Sequence, residues 1–144
     1  MGRMLRVLAI LSAVLLYMTI VIGALVNAFN AGLACGTDWP TCNGYLIPPD
    51  ILEDAGVFLE YTHRLVGGLA SLFVMLSFMY SLSSRKQRIV GLAGLTLSLV
   101  IVQVVLGMAV IRSYLDEMII ALHLSFATAS VVTASILAYS TGKC

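Results

Sequence analysis

Four stretches of this chain carry no Asp, Glu, Lys or Arg: 7–37, 65–84, 89–111 and 118–142. Each is long enough to cross the hydrocarbon core of a bilayer, which takes about 20 apolar residues in a helix. Lipid offers the backbone no hydrogen-bond partner, so only helices and closed barrels span it. The four runs are continuously apolar, whereas barrel strands alternate. The expectation is an all-α membrane protein: a bundle of four transmembrane helices near 5–28, 58–82, 89–111 and 117–140, forming one domain over residues 1–144. Composition agrees. The chain is 60% hydrophobic and 10% charged, with mean hydropathy +1.03, which excludes an ordinary soluble domain of this size.

The few charges are sorted by side. Arg3, Arg6, Arg85, Lys86, Arg88 and Lys143 fall at the N-terminus, the central loop or the C-terminus. With four spans these places share one side, and basic residues mark the cytoplasmic side. Both termini are therefore expected in the cytoplasm. All seven acids (Asp38, Asp50, Glu53, Asp54, Glu60, Asp116 and Glu117) fall on the opposite side, where only Arg64 and Arg112 are basic. The first apolar run is longer than a signal peptide's and no small-x-small cleavage site follows, so it reads as the first helix. No transit peptide precedes it, which points to a prokaryotic cell membrane.

The first extracytoplasmic loop, 29–57, is the longest non-spanning stretch, and loops of this length in compact proteins usually carry function. Asp38-Trp39-Pro40 and Asn43-Gly44 are turn chemistry. Pro48-Pro49 is placed to start a short interfacial helix over 50–56, and Trp39 suits the membrane surface. Cys35 and Cys42 have six residues between them, in a compartment where disulfides persist. A bridge there is readable as a loop staple, constraining the unfolded chain by about 2–3 kcal/mol, or as a redox-active pair. Cys144 lies at the other side of the membrane and reads as a reduced terminal thiol.

The second span opens with Glu60-Tyr61-Thr62-His63-Arg64-Leu65-Val66-Gly67-Gly68. Charge at the mouth of an apolar segment is costly to place and suggests a site. Glu60 and His63 are three apart and share a helix face. Gly67, one turn deeper, leaves room for a flat ring against the helix. Arg64 points about 100° away from His63, towards headgroups or an anionic group of a ligand. His123 enters the fourth span by about 9 Å, close to the depth of His63 in the second. His63-x-x-x-Gly67 and His123-x-x-x-Ala127 look like a pseudo-repeat. Asp116 and Glu117 precede His123, as acids favour a helix N-terminus. Gln103 is the strongly polar side chain deep in the third span, suited to an interhelical hydrogen bond or to the same pocket. Asn27 and Asn30 end the first span, meeting headgroups or, for Asn27, that pocket. Gly23, Gly91, Gly94 and Gly107 read as close-packing positions.

Two imidazoles facing each other across an apolar four-helix bundle fit axial ligation of a haem iron. Zinc would want three or four ligands. Arg64 and Arg112 could pair with haem propionates.

Beyond spacing, the residues carry a resemblance. Gly32-Leu-Ala-Cys35-Gly-Thr-Asp38-Trp39-Pro40-Thr-Cys42-Asn43-Gly44 with Ile47-Pro48-Pro49 resembles the first outer loop of the haem A synthase family. Glu60-Tyr-Thr-His63-Arg64-Leu65-Val-Gly67, Gln103-Val-Val-Leu106-Gly107 and Ala121-Leu-His123-Leu124 resemble its motifs on helices 2, 3 and 4. The likeness runs in order through nearly the whole chain. It implies an oxidoreductase that converts haem O to haem A, oxidising a ring methyl to a formyl for terminal oxidase assembly. It also implies His63 and His123 as axial ligands, haem B as a bis-His cofactor that relays electrons, and haem O as substrate. Glu60 would act near the reacting methyl, positioning water or stabilising a carbocation-like intermediate. Cys35–Cys42 would be a loop disulfide tied to activity. Haem O synthase and an electron acceptor would be partners, in membrane lipid; nucleic acid is not expected.

Members of that family are about twice this length, with two four-helix halves and four histidines. This chain resembles the half with Glu60 and the cysteine pair. A homo-oligomer would then supply both haem sites, or one site would serve both roles. The alternative to the enzyme is a b-type cytochrome subunit that only carries electrons through bis-His haem, which would need neither Glu60 nor the cysteines. A haem-free membrane scaffold with a stapled loop is the third reading.

Overall fold

The computed structural model describes residues 2–84 and 86–142. Arg85 and Lys143, used above to assign sides, and the terminal thiol of Cys144 lie outside the described residues. The chain forms four helices, α1 (Gly2–Ala28), α2 (Ala55–Ser81), α3 (Gln87–Arg112) and α4 (Glu117–Gly142). All four are long and apolar enough to cross a membrane. This is an all-α four-helix bundle, a multi-pass membrane protein. α1 packs on α2 and α4, and α3 packs on α4 and α2, so α2 and α4 stand diagonally opposite. α2 and α3 touch least of the four neighbouring pairs.

Each helix end has a local cause. α1 stops at Asn30, which takes φ 52°, while Ala31 N–H reaches back to the Val26 carbonyl at 2.8 Å. A left-handed residue after the last turn satisfies carbonyls that the helix leaves open. α3 ends the same way. Tyr114 has φ 54° and Leu115 N–H donates to Val110 O at 2.9 Å. The second helix of each pair starts on an aspartate. Asp54 accepts from Gly56 N (2.7 Å) and Val57 N (3.1 Å). Asp116 accepts from Met118 N (3.0 Å) and Ile119 N (3.1 Å). These carboxylates fill the orphan donors of the first turn.

The cap at Asp54 corrects one expectation. Residues 50–56 do not make a separate interfacial helix. Glu53 and Asp54 N–H close turns on Asp50 O at 2.9 and 3.0 Å. Asp54 is extended (φ −113°, ψ 113°), and α2 begins directly after it.

The packed interior fills only part of the bundle. Near the chain termini it comprises Leu5, Ala9, Ile89, Ala93 and Leu137. At mid-height it comprises Leu16, Ala70, Val74, Val100 and Ala134. Ser12 and Ser77 bridge α1 and α2 between these layers through their hydroxyls at 3.2 Å. Small residues at these contacts let the helices approach closely, which is how packing is gained where lipid cancels the hydrophobic drive. A third cluster, Cys35, Cys42 and Val57, lies under the long loop. Between the loop and the mid-height core the packing lapses. No residue is buried in 17–25 of α1, 61–69 of α2, 101–110 of α3 or 117–129 of α4. Nine helical residues rise about 13 Å, so over a whole level at the loop end no helix buries a residue completely.

Candidate functional site

The loop above that level is built on a covalent ring. Cys35 and Cys42 form a disulfide. Asn43 (φ 52°) and Gly44 (φ 83°) then make a two-residue turn, closed by Cys42 N to Tyr45 O at 2.8 Å and Tyr45 N to Cys42 O at 3.0 Å. An Asn-Gly pair suits it because both turn residues need positive φ. The Asn43 side chain donates to Ala34 O at 3.1 Å, tying the turn back to the loop's first limb. Trp39, within the ring, is exposed.

Two α2 residues receive this ring. Glu60 is 4% exposed; its Oε2 accepts from Cys35 N–H at 2.7 Å and its Oε1 from the Arg64 guanidinium. Arg64 Nη1 donates to Asp38 O at 2.5 Å and Thr41 O at 2.6 Å, and Nη2 reaches Gly36 O at 3.4 Å. The expectations for Arg64 were headgroups or a ligand anion. The structure adds a third occupation, as the cation inside the loop.

His63 lies near the loop end of this level. Its Nδ1 sits 3.1 Å from Thr19 O. A carbonyl can only accept, so Nδ1 carries the proton and Nε2 keeps a lone pair. The ring lies against Gly23 of α1, where a Cβ would come within 2.9 Å of His63 Cε1. His123 sits in the same level on the diagonal helix. It rests against Gly107 of α3, where a Cβ would stand 3.5 Å from His123 Cε1. Gln103 donates its amide to His123 O at 2.8 Å, an interhelical hydrogen bond as expected. The His123 Nδ1 is buried without a hydrogen-bond partner.

The structure thus brings Glu60, His63 and Arg64 to one end of α2 under the Cys35–Cys42 ring, with His123 across the bundle. Arg112 ends α3 at the same end and is exposed. A Cβ at Gly67 would meet Thr19 Cγ2 of α1 at 3.5 Å, an ordinary contact. Asn27 and Asn30 are exposed. Sequence reads Gly23 and Gly107, which seat the imidazoles, only as packing positions, and it does not single out Thr19, whose carbonyl holds His63. A signal was available: Thr19/Gly23 and Gln103/Gly107 are both four-residue steps at the loop ends of α1 and α3. Among the described residues, no three His, Cys, Asp or Glu side chains converge as a metal-ion site.

Residues 6–143 match the COX15-CtaA family, described as cytochrome oxidase assembly protein. The chain belongs to this family. Curated relatives are named heme A synthase. The one from Lysinibacillus sphaericus is 32% identical over 126 residues, covering 85% of this chain and 40% of the relative. That from Geobacillus thermodenitrificans is 32% identical over 145 residues, covering 92% and 44%. That from Shouchella clausii is 31% identical over 144 residues, covering 96% and 47%. The chain therefore spans less than half the length of these relatives. No solved structure matches it.

Proposed function

We propose that this chain acts in haem A synthesis, oxidising a ring methyl of haem O to the formyl of haem A for terminal oxidase assembly. The observation that carries this reading is the pair of histidines. They stand on diagonal helices, each against a glycine, in the one level of the bundle without buried residues. The names of the relatives favour the same reaction.

The residues present fit a haem. His63 offers Nε2 because its Nδ1 is held by Thr19 O, and such a partner orients a ligating imidazole and fixes its tautomer. His123 has a buried Nδ1 with no partner, a cost that a ring brought into use by a ligand would justify. Two protein donors suffice where a porphyrin supplies the other four. When bound, haem supplies the iron and the electron-transfer chemistry; haem B would serve as cofactor and haem O as substrate.

The chain's own residues then divide the work. His63 and His123 bind and orient. Glu60, one turn before His63, holds a carboxylate at the loop end of the level and would accept or stabilise positive charge near the reacting methyl. Arg112 would pair with a propionate, and the Cys35–Cys42 ring would hold Glu60 at the end of α2. The charge distribution supports an extracytoplasmic loop and haem site and cytoplasmic termini. Homo-oligomerisation would provide a second histidine pair, with haem O synthase and an electron acceptor as partners.

One observation favours the cytochrome alternative. Both Glu60 oxygens are engaged by protein donors, as they would be in a structural acid. The deciding experiment expresses the chain in cells that make haem O and lack another haem A source, followed by haem extraction, chromatography and mass analysis. Haem A or its hydroxylated precursor supports the enzyme, and Glu60→Ala should lower that product about 100-fold or more while bound haem B stays. Haem B alone, with ample haem O present, sinks the enzyme reading.

A further inference from the structure

The disulfide-closed ring turns its carbonyls inward on a single cation. Gly36, Asp38 and Thr41 all lie between Cys35 and Cys42, and all three carbonyls meet the Arg64 guanidinium. Every hydrogen bond described between the ring and a helix goes to Arg64 or to Glu60. The Arg64 side chain is 11% exposed and that of Glu60 5%. A guanidinium has five N–H donors in a planar fork; here they serve three carbonyls and one carboxylate. An anion gripped by the two terminal nitrogens would have to displace these acceptors. Arg112, in the last turn of α3 and exposed, is the other cation at this end.

We propose that Arg64 is a positioning residue: its guanidinium seats the Cys35–Cys42 ring on α2 and holds Glu60 in place, leaving Arg112 as the partner for an anionic ligand group. The seat needs arginine. A lysine ammonium is a point charge without the fork, and cannot span the ring carbonyls and the carboxylate together. Removing the cation also leaves the Glu60 carboxylate buried beside carbonyls that repel it. The ring stays covalently closed but loses its three carbonyl bonds to the helix and keeps only the one from Cys35 N–H to Glu60. The assignment of Arg112 rests on the haem reading; the seat does not.

The test uses the full chain in nanodiscs and has two arms. In the first, a thiol reductant opens Cys35–Cys42 and maleimide labelling is followed by mass. Arg64→Lys and Arg64→Gln should both be opened at least tenfold faster than wild type, and Arg112→Gln at the wild-type rate. Lysine failing to rescue separates the fork from simple charge. Should the Arg64 variants not fold, Glu60→Gln carries this arm with an intermediate rate, because it keeps the three carbonyl bonds. A wild-type opening rate in Arg64→Lys, or in Glu60→Gln where that variant stands in, overturns the proposal.

The second arm compares affinity for haem and haem dimethyl ester. Wild type and Arg64→Lys should prefer the free acid equally, and Arg112→Gln should lose the preference. Loss of the preference in Arg64→Lys instead, or no preference in wild type, overturns the assignment of the anion to Arg112. If wild type binds neither haem, the function proposed above fails while the first arm still decides the seat.

Discussion

The molecule contains the same hairpin twice, connected in two different ways. In α1/α2 a glycine four residues after Thr19 backs His63; in α3/α4 a glycine four residues after Gln103 backs His123. Both first helices end in a left-handed residue, and both second helices start on an aspartate cap. The connections differ. α1/α2 is joined by the disulfide loop, α3/α4 by residues 113–116. The histidines differ with them. His63 is pinned by a backbone carbonyl, sits tight on Gly23 and lies one residue before the arginine that holds the loop. His123 has looser contact with Gly107 and an unpartnered Nδ1. The repeated plan makes a pair of facing ligands. The unequal connections make one of them rigid and leave the other freer to turn.

The largest effect should come from the histidines. His63→Ala should lower haem content at least tenfold, because it removes the ring whose orientation is already fixed. His123→Ala should keep more haem, held in a one-histidine form with an altered optical and electron paramagnetic spectrum. Equal haem loss in the two variants would break the asymmetry.

The glycines sharpen it. Gly23→Ala places a methyl 2.9 Å from His63 Cε1, closer than carbon atoms pack, so the ring must move and strain its bond to Thr19 O. A hydrogen bond of this kind is worth about 1 kcal/mol, which would weaken haem binding about fivefold. Gly107→Ala meets His123 at 3.5 Å, an ordinary contact, and should bind as wild type does. Titration of both purified variants with haem decides between them; similar weakening in both would mean the two seats are equally tight.

The smallest effect should be shared. Asp54→Ala and Asp116→Ala each remove a helix cap, costing about 1 kcal/mol. Reversible unfolding in mixed micelles should give similar losses for the two. A much larger loss at Asp54 would indicate that the cap also anchors the loop.

Much of this architecture is legible in the chain's charge pattern. Four uncharged runs bounded by Arg6, Arg64, Arg88, Arg112 and Glu117 leave the backbone one way to satisfy itself in lipid, so the count and type of helices follow from local composition. The helix starts at Asp54 and Asp116 and the turn at Asn43-Gly44 are local too, because each depends on one side chain and its own neighbours. The placing of His63 and His123 within the first turns of their helices follows from helical rise.

What depended on the folded chain is which group each of those residues meets. Arg64 and Glu60 are four apart on one helix, but nothing in that spacing says that a ring earlier in the chain would donate an amide N–H to Glu60 and accept from Arg64 through its carbonyls. Gly23 and Gly107 look like the other span glycines until α1 and α3 bring them against the imidazoles. The level without buried residues is a property of four helices at one height, so no single segment displays it. Helices form from contacts a few residues apart, whereas a site is closed by contacts between helices, whose partners are chosen by packing across the bundle.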